Sequence, residues 1–461
     1  MPHAPAHTDE SVRVWLTTGD KSRLLSREAD VRLQTDSVTT LPVITVTAST
    51  TYQHMIGLGA AFSDASVYLI QHTLTPEQRT SLLENLFGRT TGIGLSFMRV
   101  TMGSSDFSLH HYSYDDVASG QRDSGLTHFS IDADRADKLP VITRALAINP
   151  QITIVASPWS PPAWMKTSRS LITGTLEPSA YDAFANYFVR FVQAYRAEGV
   201  PITAVTLQNE PAFEPADYPG MRLDPLARAS VIGTHLGPAL EKAGLHTQIW
   251  DWDHNWDAPQ QPLGTLHDSA ARHYIQGVAW HCYGGDVSAQ TKVHDAYPEK
   301  DVYFTECSGG EWAPVFADNL KWNVAQLIIG TTRNWARAVA VWNLALDEHG
   351  GPHAGGCGNC RGVVTIDAST GAVTRNVEYY ALAHASKFVR PGAVRIASTT
   401  DVDGLQSVAF RNEDDASRVL IVLNSGTASR AFIVRTDKRS FTYALPAGAV
   451  ATFVWNQGPS L

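Results

Sequence analysis

Several kinds of residue and segment are scarce in this 461-residue chain, and each scarcity excludes a class of protein. Only four cysteines occur, too few for the disulfide framework of a small secreted domain. The formal net charge is −9 and no run of Lys or Arg stands out, which argues against nucleic acid as a partner. No apolar stretch approaches the roughly 18 residues of a transmembrane helix, so we expect no membrane span.

The first ten residues are polar and lack the basic segment and apolar segment that together mark a signal peptide. We therefore expect either a cytoplasmic protein or the mature form of a secreted one. The composition is otherwise that of a globular protein, with 44% hydrophobic residues, and it supplies enough apolar surface for a large core.

The middle of the chain alternates short apolar segments with amphipathic helices. Eight segments rich in Val, Ile, Phe or Trp are typical of strands buried on both faces, and the fifth is the least apolar. They span residues 56–63, 95–103, 152–160, 202–210, 246–254, 277–284, 301–309 and 337–346.

Helix signals lie between these segments. Thr75 and Gln78 form a capping-box pattern with Pro76 at the first helical position. Residues 181–197 place aromatic and aliphatic side chains on one stripe, and Gly199 ends the pattern.

Eight strand-then-helix units predict an α/β fold with a closed parallel (β/α)8 TIM barrel. An open doubly wound sheet is the alternative, but no G-x-G-x-x-G follows the first strand. The flanks, residues 13–50 and 394–455, carry short β-rich runs and turn signals instead, so we expect them to share one β-sandwich. The predicted domains are 1–55 and 391–461 for the sandwich and 56–390 for the barrel.

Two carboxylates stand where apolar strands give way to loops. Glu210 ends the fourth strand within Gln-Asn-Glu-Pro, and Glu306 ends the seventh within Phe-Thr-Glu-Cys. Catalytic groups of a barrel sit at the carboxyl ends of its strands, and cleavage of a glycosidic bond needs two carboxylates. Asn209 is placed to donate to a sugar 2-hydroxyl. A lone Glu is more often a loop residue, but the two together favour catalysis.

Six motifs in order resemble glycoside hydrolase family 30, the family of glucosylceramidases and endo-β-1,6-glucanases, and the resemblance covers nearly the whole chain. The motifs are GLGAAFSDA from Gly57, SPWSPPAWMK from Ser157, QNEP from Gln208, WHCY from Trp280, FTEC from Phe304 and VWN from Val341.

This resemblance implies a barrel tied to a β-sandwich, retention of configuration, and no cofactor or metal. It implies that Glu210 is the general acid/base and Glu306 the nucleophile. It also implies that the pocket for the sugar at subsite −1 is lined by Asp64, Trp159, Asn209, His281, Tyr283 and Trp342.

These residue types suit those roles, although each also has a purely structural interpretation. Asp64 could accept from sugar hydroxyls or cap a helix. Trp159 and Trp342 could stack on a sugar or fill the core. Tyr283 could hydrogen-bond Glu306 and hold it as a carboxylate. A histidine such as His281, taken alone, is more often a satisfied buried residue.

The end of the fifth strand alternates aromatic and acidic residues, which suits a sugar-facing loop. Trp256 is a candidate for a neighbouring subsite. A divalent metal at Asp251, Asp253 and His254 is conceivable, but the resemblance implies none.

The cysteines form two pairs. Cys357 and Cys360 could form a loop disulfide or remain free, with neither favoured. Cys282 and Cys307 end neighbouring strands. We expect free thiols there, because a bridge would constrain the strand that carries the nucleophile.

The expected activity is retaining hydrolysis of β-glucosidic bonds in a carbohydrate or glycolipid, either exo-cleavage of glucosylceramide type or endo-cleavage of β-1,6-glucan. Residues 350–361, after the eighth strand, are expected to form part of the pocket rim. The alternatives are a β-xylosidase or β-fucosidase with the same machinery, or a sugar-binding barrel without catalysis.

Overall fold

The computed structural model describes residues 11–36 and 39–456. The chain divides into two compact units. One consists of the described residues of Met1–Gly57, Trp312–Arg333 and Val377–Leu461, and the other of Leu58–Glu311 and Asn334–Asn376. Two helical segments from the second half of the chain therefore group with the β-sandwich.

Strands are numbered along the chain. The N-terminal strands are β1 Ser11–Thr17, β2 Ser26–Arg27, β3 Val31–Arg32, β4 Gln34–Thr35 and β5 Val43–His54. The central strands are β6 Gly57–Phe62, β7 Phe97–Thr101, β8 Thr153–Ser157, β9 Ala204–Thr206, β10 Gln248–Asn255, β11 Ile275–His281, β12 Asp301–Glu306, β13 Gly309–Gly310, β14 Ala336–Asn343, β15 Ala345–Leu346, β16 Cys360–Arg361, β17 Val364–Ile366 and β18 Val373–Arg375. The C-terminal strands are β19 Val394–Ser398, β20 Asp401–Val402, β21 Leu405–Arg411, β22 Arg418–Asn424, β23 Arg430–Thr436, β24 Arg439–Leu445 and β25 Val450–Trp455.

The α-helices are α1 Asp64–His72, α2 Pro76–Phe87, α3 Lys138–Ile148, α4 Tyr181–Ala197, α5 Pro225–Ser230, α6 Gly237–Lys242, α7 Gln260–His267, α8 Ser269–Tyr274, α9 Ala289–Ala296, α10 Phe316–Trp322, α11 Thr331–Arg333 and α12 Val377–Ser386. Val231–Leu236 and Asn323–Gly330 are π-helical, and short 3-10 turns span Asp132–Asp134, Ala163–Met165 and Pro178–Ala180.

Within the described residues, eight strands close into a parallel barrel in chain order, from β6 to β12 and then β14. The eight predicted strand segments are the eight barrel strands, so the predicted fold is confirmed. The residues of β6, β7 and β9 are buried throughout, as strands covered on both faces must be. All eight carboxyl ends open on the same rim.

The predicted helix signals are confirmed. Thr75 accepts a hydrogen bond from the backbone N–H of Gln78, and the Gln78 side chain accepts one from the backbone N–H of Thr75. The aromatic stripe of α4 is buried, including Phe184, Phe188 and Phe191.

The two ends of the chain share one sheet, as the sequence predicts. Strand β1 pairs antiparallel with β25, and β5 pairs with both β19 and β23. The sheet runs in the order β2-β1-β25-β22-β21-β19-β5-β23-β24-β4, and its core includes Val14, Leu420, Phe432 and Phe453. No helix among the described residues is long and apolar enough to cross a membrane.

Candidate active site

The two predicted carboxylates meet at the barrel rim. Glu210 lies just beyond β9, and Glu306 is the last residue of β12. One oxygen of each carboxylate and one ring nitrogen of His281 lie within 4.8 Å of one another. This spacing fits the separation of about 5–5.5 Å in retaining glycosidases better than the 6.5–9.5 Å of inverting ones.

Glu306 is held by two donors. The buried guanidinium of Arg99 pairs with Oε2, and the hydroxyl of Tyr283 donates to Oε1 at 2.8 Å. The predicted bond between Tyr283 and Glu306 is therefore present. Burial and the neighbouring Glu210 raise the pKa of Glu306, while His281, Arg99 and Tyr283 oppose the rise by stabilising the carboxylate.

Glu210 has a different environment. Its Oε1 lies 3.0 Å from His281 Nδ1 and 3.9 Å from His254 Nε2. Its backbone N–H donates to the carbonyl of Asp253 at 3.1 Å. Glu210 and Asp253 both have left-handed backbone, with φ of +49° and +56°, and such strained residues cluster at functional sites.

His281 bridges two carboxylates. Its Nδ1 faces Glu210 and its Nε2 faces Asp253, each at 3.0 Å. Burial opposes a charge on the ring, but Glu306 and the hydrogen bonds to Asp253 and Glu210 outweigh burial and raise the pKa of His281 to about 9. The imidazole is therefore protonated at neutral pH and donates from both nitrogens.

Arg99 is a functional residue that the sequence reasoning missed. It lies on β7 with no exposed surface, and besides Glu306 it donates to Asn209 Oδ1 and Asp253 Oδ2, both at 2.7 Å. One guanidinium thus fixes three site side chains. The sequence does contain a signal for it: Arg99 is a single charged residue in the apolar segment around Met98. A charge buried in a strand requires charged or polar partners, so it indicates a buried ion pair.

Asp253 was considered only as a metal ligand, and it is instead the most heavily hydrogen-bonded carboxylate of the site. Its two oxygens accept from the three hydroxyls of Ser157, Thr206 and Thr305 as well as from Arg99 and His281. Burial works against its charge, but Arg99 and His281 hold its pKa well below the ordinary value.

Trp159 and Trp342 are brought together as the sequence proposes. Their rings stack with centroids 4.7 Å apart, and the Arg99 guanidinium lies 4.7 Å from the Trp159 ring and 5.4 Å from the Trp342 ring. Each indole is 2% exposed, so these rings form a wall behind the charged groups.

Asn209 keeps its Nδ2 available, because no acceptor among the described residues engages it.

The predicted sugar-binding role of Asp64 stays a prediction, and the residue also has protein partners. It is the first residue of α1, behind the capping Ser63, and its carboxylate pairs with Lys138 at 2.8 Å. Ser108 and Tyr112 also donate to it. These donors fix the orientation of the carboxylate, and its partly exposed oxygens can still accept from further donors.

Asp106 is a second residue that the sequence reasoning missed. Its Oδ1 is buried without a hydrogen-bond partner. Burial, with Glu306 and Glu210 nearby, raises the pKa of Asp106 to about 8. A Cβ at Gly356 would lie 2.6 Å from the Cβ of Asp106, so the loop of residues 350–361 packs against this carboxyl. The only sequence signal for Asp106 is its position just after β7, which resembles the position of Glu210 after β9.

Trp256, the candidate for a neighbouring subsite, is buried, and that role stays a prediction. It is 4% exposed, donates from Nε1 to Gln290 Oε1 at 3.0 Å and stacks on Phe304. The alternation of aromatic and acidic residues reflects a strand whose acids face buried arginines. Asp251, for example, pairs with Arg228 at 2.8 Å.

Both cysteine pairs are disulfide-bonded, Cys282 with Cys307 and Cys357 with Cys360. The prediction of free thiols at Cys282 and Cys307 was wrong. The reason is geometric: β11 and β12 are neighbours, and their ends bring the two Cα atoms to 5.4 Å, within disulfide reach.

Two clusters within the described residues have metal-ligand spacing. One is Glu210, His281 and Glu306, but a protonated His281 offers no lone pair to a cation. The other is Asp115, Asp123 and His128, where His128 already pairs with Asp123 at 2.8 Å.

A closed parallel barrel whose rim holds two carboxylates at this spacing is a glycoside hydrolase with a retaining, two-carboxylate site. The chain belongs to glycosyl hydrolase family 30: the model of the family's TIM-barrel domain matches residues 55–389, and that of its β-sandwich domain matches residues 392–453.

The chain is 39% identical over 388 residues to the endo-1,6-β-D-glucanase of Neurospora crassa. The aligned region covers 81% of this chain and 79% of the relative. It is 30% identical over 415 residues to putative glucosylceramidase 4 of Caenorhabditis elegans, and the aligned region covers 84% of this chain and 78% of the relative. A solved endo-β1,6-glucanase superposes with a TM-score of 0.90 at 33% identity, covering 97% of this chain and 99% of that one.

Proposed function

We propose that this chain is an endo-β-1,6-glucanase in which Glu306 is the nucleophile and Glu210 the general acid/base. The observation that carries the proposal is the unequal surroundings of the two carboxylates. Arg99 and Tyr283 both donate to Glu306, whereas Glu210 shares a hydrogen bond with a protonated histidine.

In the first step Glu306 attacks the anomeric carbon and the bond to the leaving oxygen breaks. The leaving oxygen takes a proton from Glu210. Burial favours the neutral acid, but the hydrogen bond from His281 outweighs it and holds the pKa of Glu210 below its ordinary value. The proton therefore rests on His281, 3.0 Å away, and passes through Glu210 to the leaving oxygen. The product of this step is a covalent glycosyl-enzyme with the configuration inverted once.

In the second step a water molecule attacks the same carbon from the face that the leaving group vacated. Glu210, now a carboxylate, accepts the proton of this water, and the bond to Glu306 breaks. Two inversions give net retention. Arg99 and Tyr283 remain beside Glu306 and stabilise it as the leaving carboxylate.

The remaining polar groups suit the sugar that is attacked. Asn209 is oriented by Arg99 through its Oδ1, which leaves Nδ2 to donate to a sugar hydroxyl. Asp106 offers a buried oxygen without a partner to a second hydroxyl. Trp159 and Trp342 supply an apolar wall.

Two observations support an internal cleavage site in β-1,6-glucan. The Neurospora relative and the solved structure with TM-score 0.90 are both named endo-β-1,6-glucanases. Phe213 and Tyr283, which flank the carboxylates, are each 46% exposed, so aromatic faces are open to sugar units beyond the scissile bond.

Digestion of reduced, linear β-1,6-glucan tests the proposal, with β-1,3-glucan, glucosylceramide and aryl β-xyloside as comparison substrates. We expect early products of many lengths from β-1,6-glucan, with the new reducing ends in the β configuration by NMR. Release of glucose alone, preference for a comparison substrate, or initial α product would contradict it.

A further inference from the structure

The disulfide between Cys282 and Cys307 lies one residue beyond His281, which contacts Glu210, and Glu306. His281 precedes Cys282 at the end of β11, and Glu306 precedes Cys307 at the end of β12. The strand register makes His281 and Glu306 direct partners. A covalent bond therefore ties together the strand ends that carry the partner of Glu210 and the nucleophile.

The pairing of β11 and β12 is irregular just before this point. Trp280 pairs with Phe304 but His281 pairs with Glu306, so Thr305 is an extra residue on β12. Such a bulge re-aims the side chain that follows it and weakens the local ladder. Among the described residues, the pairing of these two strands ends at His281 and Glu306, and the disulfide is the next link between them.

The contact between Tyr283 and Glu306 spans the same two strand ends as the disulfide. Tyr283 follows Cys282 on one strand end, and its hydroxyl donates across to Glu306 at 2.8 Å. The same hydroxyl lies 3.2 Å from Ser308 Oγ, the residue after Cys307. Both cross-strand contacts depend on the separation that the bridge sets.

Cys307 also bonds to β14, the strand that pairs with β12 on its other side. Its carbonyl accepts from the backbone N–H of Trp342 at 2.9 Å, and the residue is 2% exposed. The disulfide is thus packed into the rim between the stacked Trp wall and the nucleophile. Displacement of this residue would move Glu306 relative to Arg99 as well.

We propose that the Cys282–Cys307 disulfide is a positioning element of the reaction, which holds Glu306 against Tyr283 and Arg99. The inference rests on the role proposed above for Glu306. Since a displacement of about 1 Å can cost on the order of 100-fold in rate, loss of the bridge should lower the rate of glycosylation. Weaker donation to Glu306 should also raise its pKa.

The test compares the wild type with Cys282→Ala/Cys307→Ala on whichever β-glycoside the wild type cleaves, well below the melting temperature of both. We expect kcat to fall about tenfold or more with a smaller change in KM. In the pH profile of kcat/KM, the midpoint on the acidic side should shift to higher pH by about half a unit or more, because Glu306 must be ionised to attack. The control is Val422→Ala, a core truncation on β22 that lowers stability without touching the site.

A variant with wild-type kcat and an unchanged acidic midpoint in its pH profile would overturn the proposal, whatever its melting temperature. The disulfide would then serve only to stabilise the fold. If the variant does not fold, the native enzyme is treated with a dithiol, which becomes a cyclic disulfide as the bridge takes up two electrons and two protons. Activity must then fall in step with alkylation of Cys282 and Cys307 measured by mass spectrometry. Full activity after their alkylation would refute positioning, whereas wild-type activity in Glu306→Ala would refute the proposed function instead.

Discussion

At the scale of single residues, the site is a set of buried charges that satisfy one another. Arg99 and a protonated His281 pair with the carboxylates of Asp253, Glu210 and Glu306 in a region where unpaired charges would be costly. Most of the donors and acceptors are used, so the few that are left open mark where a sugar would bind.

Asp106 provides the first test of that view. Asp106→Asn keeps the shape but replaces one carboxyl oxygen with an NH2 group, which cannot accept a hydrogen bond, so we expect kcat/KM to fall about 10- to 100-fold. The folded-state pKa of Asp106 is raised from 3.8 to about 8, so its ionisation costs stability as pH rises towards 8.

The Asp106→Asn variant should therefore melt no lower than the wild type at neutral pH, and the difference in its favour should grow with pH. Asp295→Asn, at a carboxylate that is 69% exposed on α9, is the matched control. Unchanged kcat/KM in Asp106→Asn would remove Asp106 from the site.

His281 provides a test through pH. Its pKa is raised from 6.5 to about 9 in the folded protein, so its contribution to stability is complete below pH 6.5 and is lost as pH rises through 9. The melting temperature of the wild type relative to His281→Asn should fall across this interval. A difference that stays constant from about pH 6 to about pH 10 would show that the ring is not charged.

At the scale of elements, a second buried network fixes the long segment between β7 and α3 that carries Asp106. Lys138, the first residue of α3, lies 2.8 Å from Asp64 on α1 and 2.9 Å from Asp134. Its Nζ also donates to Thr101 Oγ1 at 3.1 Å, at the end of β7. Burial opposes the charge on Lys138, but Asp134 and Asp64 outweigh it and raise its pKa.

Lys138→Met should leave two buried carboxylates without a cation, so we expect a loss of about 3–5 kcal/mol in the free energy of unfolding. Lys242→Met, at an exposed position on α6, should change it by less than about 0.5 kcal/mol. The measurement is urea unfolding followed by far-UV circular dichroism. Equal losses in the two variants would contradict the assignment of this network.

Most of the elements were predictable from the sequence, because most barrel strands are largely apolar and the longer helices, such as α4, have a periodic apolar stripe. The least apolar predicted segment became β10, which carries Asp251 and Asp253 fully buried. A buried acid looks like a loop residue in sequence, since its cation lies on another element. Arg228 and Arg99 supply those cations.

At the scale of the whole molecule, the sequence indicated the two carboxylates and the neighbouring His281 and Tyr283, but not Arg99. Glu210 and Glu306 stand at strand ends and follow recognisable motifs, so chain order alone places them. Arg99 stands in no recognisable motif, yet it pairs with Glu306 and Asp253. Whether a side chain turns towards the barrel axis or towards a helix depends on tertiary packing that no local pattern records.

The most direct test of the central claim is the configuration of the glycosyl azide formed when each carboxylate is removed and azide is supplied with an activated aryl glycoside. Glu306→Ala should give the α-azide, because azide enters where the nucleophile stood. Glu210→Ala should accumulate the glycosyl-enzyme and give the β-azide, because azide replaces the water that Glu210 would activate. A β-azide from Glu306→Ala with an α-azide from Glu210→Ala would reverse the two roles, and wild-type activity without azide in either variant would contradict the assignment altogether.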